Sequence, residues 1–122
     1  MNIQSTDQIE VNGVMVNAVP GTRPALVDGC DTVVKLFATR CAEMGDRVAH
    51  REKDLGIWQS CSWRDYWTHA KWLGLGLRAL GLKRGEVVSI LSEDRKEWLY
   101  ADMGIQCVGG IASGVYTTDS AS

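Results

Sequence analysis

Val87-Val88-Ser89-Ile90-Leu91, a helix-forming stretch from Asp94 to Val108, the pair Gly109-Gly110 and a second β-forming run from Ile111 to Val115 follow one another late in the chain and decide the fold class. The first run is short enough for a strand and too continuously apolar for one with a wet face, so it is predicted to be buried. Strands that run the same way cannot be joined by a tight turn and need a crossover, which the intervening helix supplies at the spacing of a right-handed unit. An α/β fold with a parallel strand pair follows. The crossover helix carries Trp98, Ala101, Ile105 and Val108 on one side and Leu99, Met103 and Cys107 on the other. A helix that is apolar nearly all round is predicted to need cover on two faces.

Upstream lies the strongest helical stretch, Trp63 to Leu80 with Gly81 as its stop. Ser62 followed three residues later by Asp65 is close to a capping box, with Asp in place of the usual Glu. Trp63, Tyr66, Trp67, Ala70, Leu73, Gly74 and Leu77 recur at helical spacing on one stripe, while Trp72 and Leu75 fall on the opposite arc, where a soluble helix carries polar residues. Before it, Val48-Ala49-His50 and Ile57 to Cys61 flank Lys53-Asp54-Leu55-Gly56, which predicts a hairpin with a four-residue connection. Earlier still, Asp31 is placed to cap a first amphipathic helix on which Val33, Val34, Phe37, Cys41 and Met44 recur before Gly45 stops it. Residues 1–30 form an N-terminal extension in which Ile9-Glu10-Val11 and Val14-Met15-Val16 flank Asn12-Gly13, the dipeptide of tight hairpins. Two readings stand there: a short hairpin, or a segment ordered only against something else, because two strands alone are marginal in water.

Composition narrows the function classes. Of 122 residues, 45% are hydrophobic and 23% charged, the balance of a globular chain. Thirteen Lys+Arg against fifteen Asp+Glu leave a net charge of -2, which gives no general pull toward nucleic acid. Cys30, Cys41, Cys61 and Cys107 form no C-x-x-C and have no histidine placed to complete a zinc site, so no metal is expected. No export signal and no apolar run of membrane-spanning length is found, and the chain reads as cytoplasmic with reduced thiols, with membrane contact at most peripheral.

Several features invite a functional reading and are better explained by packing. Gly74-Leu75-Gly76 with Gly81 nearby lies inside a helix, whereas a dinucleotide loop must follow a strand and open a helix; close helix packing is expected instead. His50 and His69 have no nucleophile or carboxylate at a diagnostic spacing. Trp58, Trp63, Trp67 and Trp72 crowd together, but the acidic balance lacks the cationic groove of a single-strand binder, so core and interface packing is preferred over a base-stacking platform. Thr117 to Ser122 is a cluster of helix-capping residues with no helix after it, so the end reads as cut, and the buried-type strand pair, the helix with two apolar faces and Trp72 on the outer arc together predict an incomplete core.

Four stretches together carry a family resemblance: Arg51 to Trp58, then Ser62-Trp63, then Leu80-Gly81-Leu82-Lys83-Arg84-Gly85-Glu86-Val87-Val88-Ser89-Ile90-Leu91-Ser92-Glu93, and Glu97-Trp98 on to Gly109-Gly110-Ile111 and Val115-Tyr116-Thr117-Thr118. In order and spacing they resemble the G-x-W, T/S-W, L-G-[LV]-x-x-G-[DE]-x-V-x-I-L-S and G-G…Y-x-T landmarks of the adenylate-forming, AMP-binding superfamily, specifically its bacterial long-chain acyl-CoA synthetases. The resemblance covers the chain from about Thr32 onward, and the Tyr116-x-Thr118 ending leans toward the long-chain subgroup. Lys96 stands where the family often has proline, a tolerable change at the start of a helix.

The resemblance implies that residues 31–122 are the N-terminal part of the large domain of a fatty acid–CoA ligase. Such an enzyme uses ATP, Mg²⁺ and CoA, and the remainder of the same chain is then this segment's partner. It also implies that catalysis falls to a Ser/Thr/Gly-rich loop ending in Pro-Lys-Gly and to later motifs, none of which is present here. No catalytic, cofactor-binding or metal-binding residue is therefore assigned to this chain, and alone it is expected to be inactive and to bind none of these cofactors. The alternative is a self-contained small α/β binding or regulatory module that shares the scaffold.

Overall fold

The computed structural model describes residues 7–11, 14–18 and 26–118. Strands β1 (Asp7–Val11) and β2 (Val14–Ala18) pair antiparallel with Val11 opposite Val14, as the runs flanking Asn12-Gly13 predict; those two turn residues lie outside the described ones. Then come helix α1 (Val33–Met44), the antiparallel hairpin β3 (Val48–Asp54) and β4 (Ile57–Ser62), helix α2 (Trp63–Ala79), strand β5 (Val87–Leu91), helix α3 (Lys96–Cys107) and strand β6 (Ile111–Val115). Strands β5 and β6 pair in parallel, Val87 beside Ile111 through Leu91 beside Val115, so the strand, helix, strand unit forms as expected.

Local chemistry explains the boundaries. Asp65 donates its backbone N–H to Ser62 Oγ at 3.1 Å, and its carboxylate accepts from the Ser62 N–H at 3.2 Å, so aspartate completes the capping box at the start of α2. At α1 the cap is Thr32 rather than Asp31: Thr32 Oγ1 accepts from the Lys35 N–H at 3.2 Å, while Asp31 pairs with the Lys35 ammonium. Both residues have cap chemistry, and backbone geometry selects the one next to the first helical residue. The β3–β4 connection is two residues, not four. Lys53 pairs with Trp58 and Asp54 with Ile57, leaving Leu55 and Gly56 at φ +46° and +83°, the two left-handed positions of a tight hairpin turn.

Helices α2 and α3 meet at small residues. A Cβ on Gly74 would lie 2.5 Å from the Gly104 carbonyl oxygen, and one on Gly104 would lie 2.6 Å from the Ala70 carbonyl oxygen. The Gly74 segment is thus a helix contact, as its place in α2 predicts. Phe37 and Cys41 of α1, Ala70 of α2 and Met103 of α3 form the buried centre, with Trp63, Tyr66, Trp67 and Cys107 packed around it. The Met103 and Cys107 arc of α3, expected to want cover from elsewhere, is covered by α1 and α2. Tyr100 is buried as well, although the two-arc division of this helix passes over it.

Strand β5 departs from the expectation of burial. Ile90 is buried, but Val87 and Leu91 are 62% and 67% exposed, because α3 lies on one face of the pair and no described element lies on the other. Ile111 and Val115, at 49% and 37%, share that open face by register. Trp72 and Leu75 are exposed on the outer arc of α2, as their helical phase predicts.

Candidate functional site

The side chains with the richest chemistry converge where the β3–β4 hairpin leans on the first turns of α2 and α3. Successive residues of a strand point to opposite faces, so His50 and Glu52 of β3 reach the same side. There they meet Cys61 of β4, Asp65 and His69 of α2, and Lys96 and Tyr100 of α3, around a cleft of about 480 Å³. Cys61 Sγ is 3.3 Å from the Tyr100 hydroxyl. The His69 ring stacks on Tyr100 at 4.7 Å between centroids and 14° between planes, and its Nδ1 is 2.8 Å from the Asp65 carbonyl oxygen. His50 lies 5.6 Å from Tyr66 and 5.9 Å from Tyr100, ring to ring, with Nε2 buried and without a hydrogen-bond partner among the described residues.

Electrostatics in this cleft favour neutral rings and one ion pair. Burial, opposed by the Glu52 carboxylate and aided by the Lys96 ammonium, holds the His50 imidazole below its ordinary value. Burial pushes the Tyr66 phenol up to about 12 and raises that of Tyr100 further, with the Cys61 contact adding to the latter. Lys96 Nζ pairs with Glu52 at 3.2 Å, and the Lys96 N–H donates to the same carboxylate at 3.5 Å. This ties the hairpin to the first turn of α3. A proline at this position would lack both the ammonium and the N–H that make these two contacts.

Among the described residues this arrangement shows ring packing, a thiol–phenol contact and one ion pair. A nucleophile needs a base within hydrogen-bond reach and a group orienting that base. Among the described residues neither histidine hydrogen-bonds a thiol or hydroxyl, and the Cys61 thiol meets a phenol instead. Cys41 and Cys107 lie against the core, where burial raises both thiols, Cys41 to about 11, away from the reactive thiolate. Among the described residues no three His, Cys, Asp or Glu side chains are grouped to hold a metal ion. Sequence reasoning placed His50 and His69 apart and missed Tyr100, Cys61 and the Glu52–Lys96 pair; no spacing rule links residues of a hairpin to a helix 39 or 44 positions later.

A second cleft, of about 560 Å³, opens at the C-terminal ends of β5 and β6, lined by Glu93, Asp94, Trp98, Gly114, Tyr116 and Thr117 among others. In open parallel sheets this edge is where ligands are bound.

Comparison with known proteins gives this scaffold a context. A family model described as AMP-binding enzyme matches residues 37–122. A long-chain-fatty-acid–CoA ligase of Bos taurus is 36% identical over 89 residues, which are 73% of this chain and 12% of that protein. An uncharacterized protein of Mycobacterium tuberculosis is 38% identical over 87 residues, 71% of this chain and 49% of its own. The solved fatty acyl-adenylate ligase of Legionella pneumophila, in complex with acyl adenylate and pyrophosphate, superposes with a TM-score of 0.68 at 22% identity, covering 71% of this chain and 15% of that one. The last likeness is one of fold, and it agrees with the helix, hairpin, helix, strand order described above.

Proposed function

Because this chain belongs to the AMP-binding enzyme family, we propose that it is the N-terminal part of a ligase that activates a long-chain fatty acid with ATP and joins it to CoA. In that reaction the fatty carboxylate attacks the α-phosphate, pyrophosphate leaves, and the CoA thiol then displaces AMP from the acyl carbonyl. The observation that carries this reading is the alignment with the Bos taurus ligase, in which most of this chain matches a small share of a much longer protein. The chain spans 12% of that relative's length.

On this reading residues 31–122 build helix and sheet layers of the large domain, and residues 1–30 precede it as an extension. The open face of β5–β6 supports it, since parallel strands are normally covered on both faces. Among the described residues no group of side chains fits a metal site, and the sequence contains no Pro-Lys-Gly motif. Its own contribution is to hold the scaffold; alone it has no activity and binds none of ATP, Mg²⁺ or CoA. Its partner is the remainder of the same enzyme and its compartment the cytoplasm. Among the described residues no helix is long and apolar enough to cross a membrane.

The test is pyrophosphate release from ATP, Mg²⁺ and palmitate. The 122-residue chain is expected to match a no-protein control, and a chain continued through the loop and the C-terminal domain of the family is expected to release pyrophosphate in step with palmitate. Turnover by the short chain overturns the inactive-fragment reading, and a silent long chain overturns the ligase assignment.

A further inference from the structure

The β3–β4 hairpin is held to the helices through a small set of side chains, and one of them is an imidazole with a buried, unpaired nitrogen. At the base of the hairpin the Trp63 N–H donates to the Arg47 carbonyl oxygen at 3.0 Å. Further out, the His50 ring lies against Tyr66 and Tyr100, Glu52 holds Lys96, and Cys61 Sγ touches the Tyr100 hydroxyl. Leu55, Ile57 and Trp58 at the tip are exposed. His50 and Cys61 are partners across the two strands, next to a shift of register between Val48 and His50. His50 Nε2 is the buried atom without a hydrogen-bond partner among the described residues. A neutral ring bears one such nitrogen, whereas an imidazolium carries two N–H donors and needs two acceptors. The groups around it are already engaged. Glu52 is taken by Lys96, Asp65 by the Ser62 N–H and hydroxyl, and Glu97 by Arg95. The Tyr66 hydroxyl donates to the Leu99 carbonyl oxygen, and His69 Nδ1 faces the Asp65 carbonyl oxygen. Asp54 stands at the far end of β3, about 13 Å along the strand at ~3.3 Å per residue.

We infer that His50 is an acid-sensitive latch: a proton taken from solvent by its imidazole releases the β3–β4 hairpin from α2 and α3 while those helices stay packed. In water both ring nitrogens find partners. In the closed state the imidazolium can gain a carboxylate only by drawing Glu52 off Lys96, which undoes the second tie of the same hairpin. The helices do not depend on it, since the Gly74 and Gly104 contact and the centre formed by Phe37, Cys41, Ala70 and Met103 contain no hairpin residue. A unit with few buried contacts opens at a lower free energy than the whole fold. The inference goes beyond the proposed reaction and does not depend on it.

The experiment is amide hydrogen exchange of the 122-residue chain at about pH 7.5 and about pH 5.5, with rates divided by those of an unstructured chain at the same pH. Two strands alone are marginal in water, so the amides of a released hairpin exchange. The β3 and β4 amides are expected to be less protected than those of α2 at both values. Their protection should fall at the lower pH by up to about tenfold, the ceiling for one proton taken up by a group of ordinary value 6.5 over that interval. His50→Gln, which does not titrate there, should remove the fall, and His69→Gln should leave it in place. Equal protection of the hairpin and α2 overturns the inference, because the hairpin then opens only with the whole fold. So does hairpin protection that is the same at both pH values in the unsubstituted chain, or a fall that survives His50→Gln. Circular dichroism checks that His50→Gln keeps its helices. Should it not, the unsubstituted chain and His69→Gln decide, since a fall lost in His69→Gln assigns the proton to the other histidine and overturns the latch.

Discussion

Gly74 of α2 faces Gly104 of α3 with no room for a methyl group on either: a Cβ on Gly74 would sit 2.5 Å from the Gly104 carbonyl oxygen. Because the obstacle is backbone, no rotamer change relieves it. Gly74→Ala is expected to destabilise the fold by about 1 to 3 kcal/mol. Gly76, two residues on, has nothing within 4 Å of its would-be Cβ, so Gly76→Ala should stabilise by about 0.5 to 1 kcal/mol through helix propensity alone. Urea unfolding midpoints of the two variants should move in opposite directions.

Phe37 stands at the centre of the aromatic packing, its ring 4.7 Å from Tyr66 and 5.7 Å from Trp67. At 7% exposure it is more deeply placed than half-buried Trp67. Phe37→Ala should therefore cost about 3 to 5 kcal/mol, and Trp67→Ala less despite the larger side chain. Equilibrium unfolding of both variants gives the order, and an equal or larger loss for Trp67 would show that the core is centred elsewhere.

Leu55 holds φ +46° at a turn position and is 97% exposed, so its side chain contributes no packing to offset the strain of a left-handed backbone. Leu55→Asn should raise stability by about 1 kcal/mol, since asparagine tolerates that conformation and suits a two-residue hairpin turn. The shift in thermal midpoint measures it.

His50 is disfavoured as imidazolium by burial, so its folded pKa lies below the ordinary 6.5. At higher pH both states are neutral and the contribution is fully present. As pH falls through 6.5 the unfolded chain takes the proton first, and stability is lost from there down to the folded value. The depressed carboxyls of Asp65 and Glu52 act in the same direction, but in a lower window that begins at their ordinary 3.8 and 4.5 and runs downward. His50→Phe should flatten the fall of the unfolding midpoint just below pH 6.5 while leaving the more acidic fall intact.

Local signals were readable wherever one residue type has one mechanical role. Ser62 and Asp65 predict a helix start, Gly45 and Gly81 predict stops, and the β5 and β6 runs with a helix between them predict a parallel pair; the structure has all of these. Where two neighbours could play one part, the choice belonged to geometry, as with Thr32 over Asp31 and with the Leu55-Gly56 turn over a longer one. The cleft was illegible for a different reason: the Cys61–Tyr100 contact and the Lys96–Glu52 pair join residues 39 and 44 positions apart.

By itself, then, the sequence determined the order and type of the elements and the family to which they belong, because propensity, capping and motif spacing act within a few residues of one another. Only the tertiary structure decided what covers each apolar arc of α3. Met103 and Ile105 lie on different sides of the same helix and are 6% and 1% exposed, and no periodicity says which neighbour each one meets. Met103 is buried among α1 and α2, which the Gly74 and Gly104 contact draws close, whereas Ile105 lies against Gly110 on the side of the β5–β6 pair.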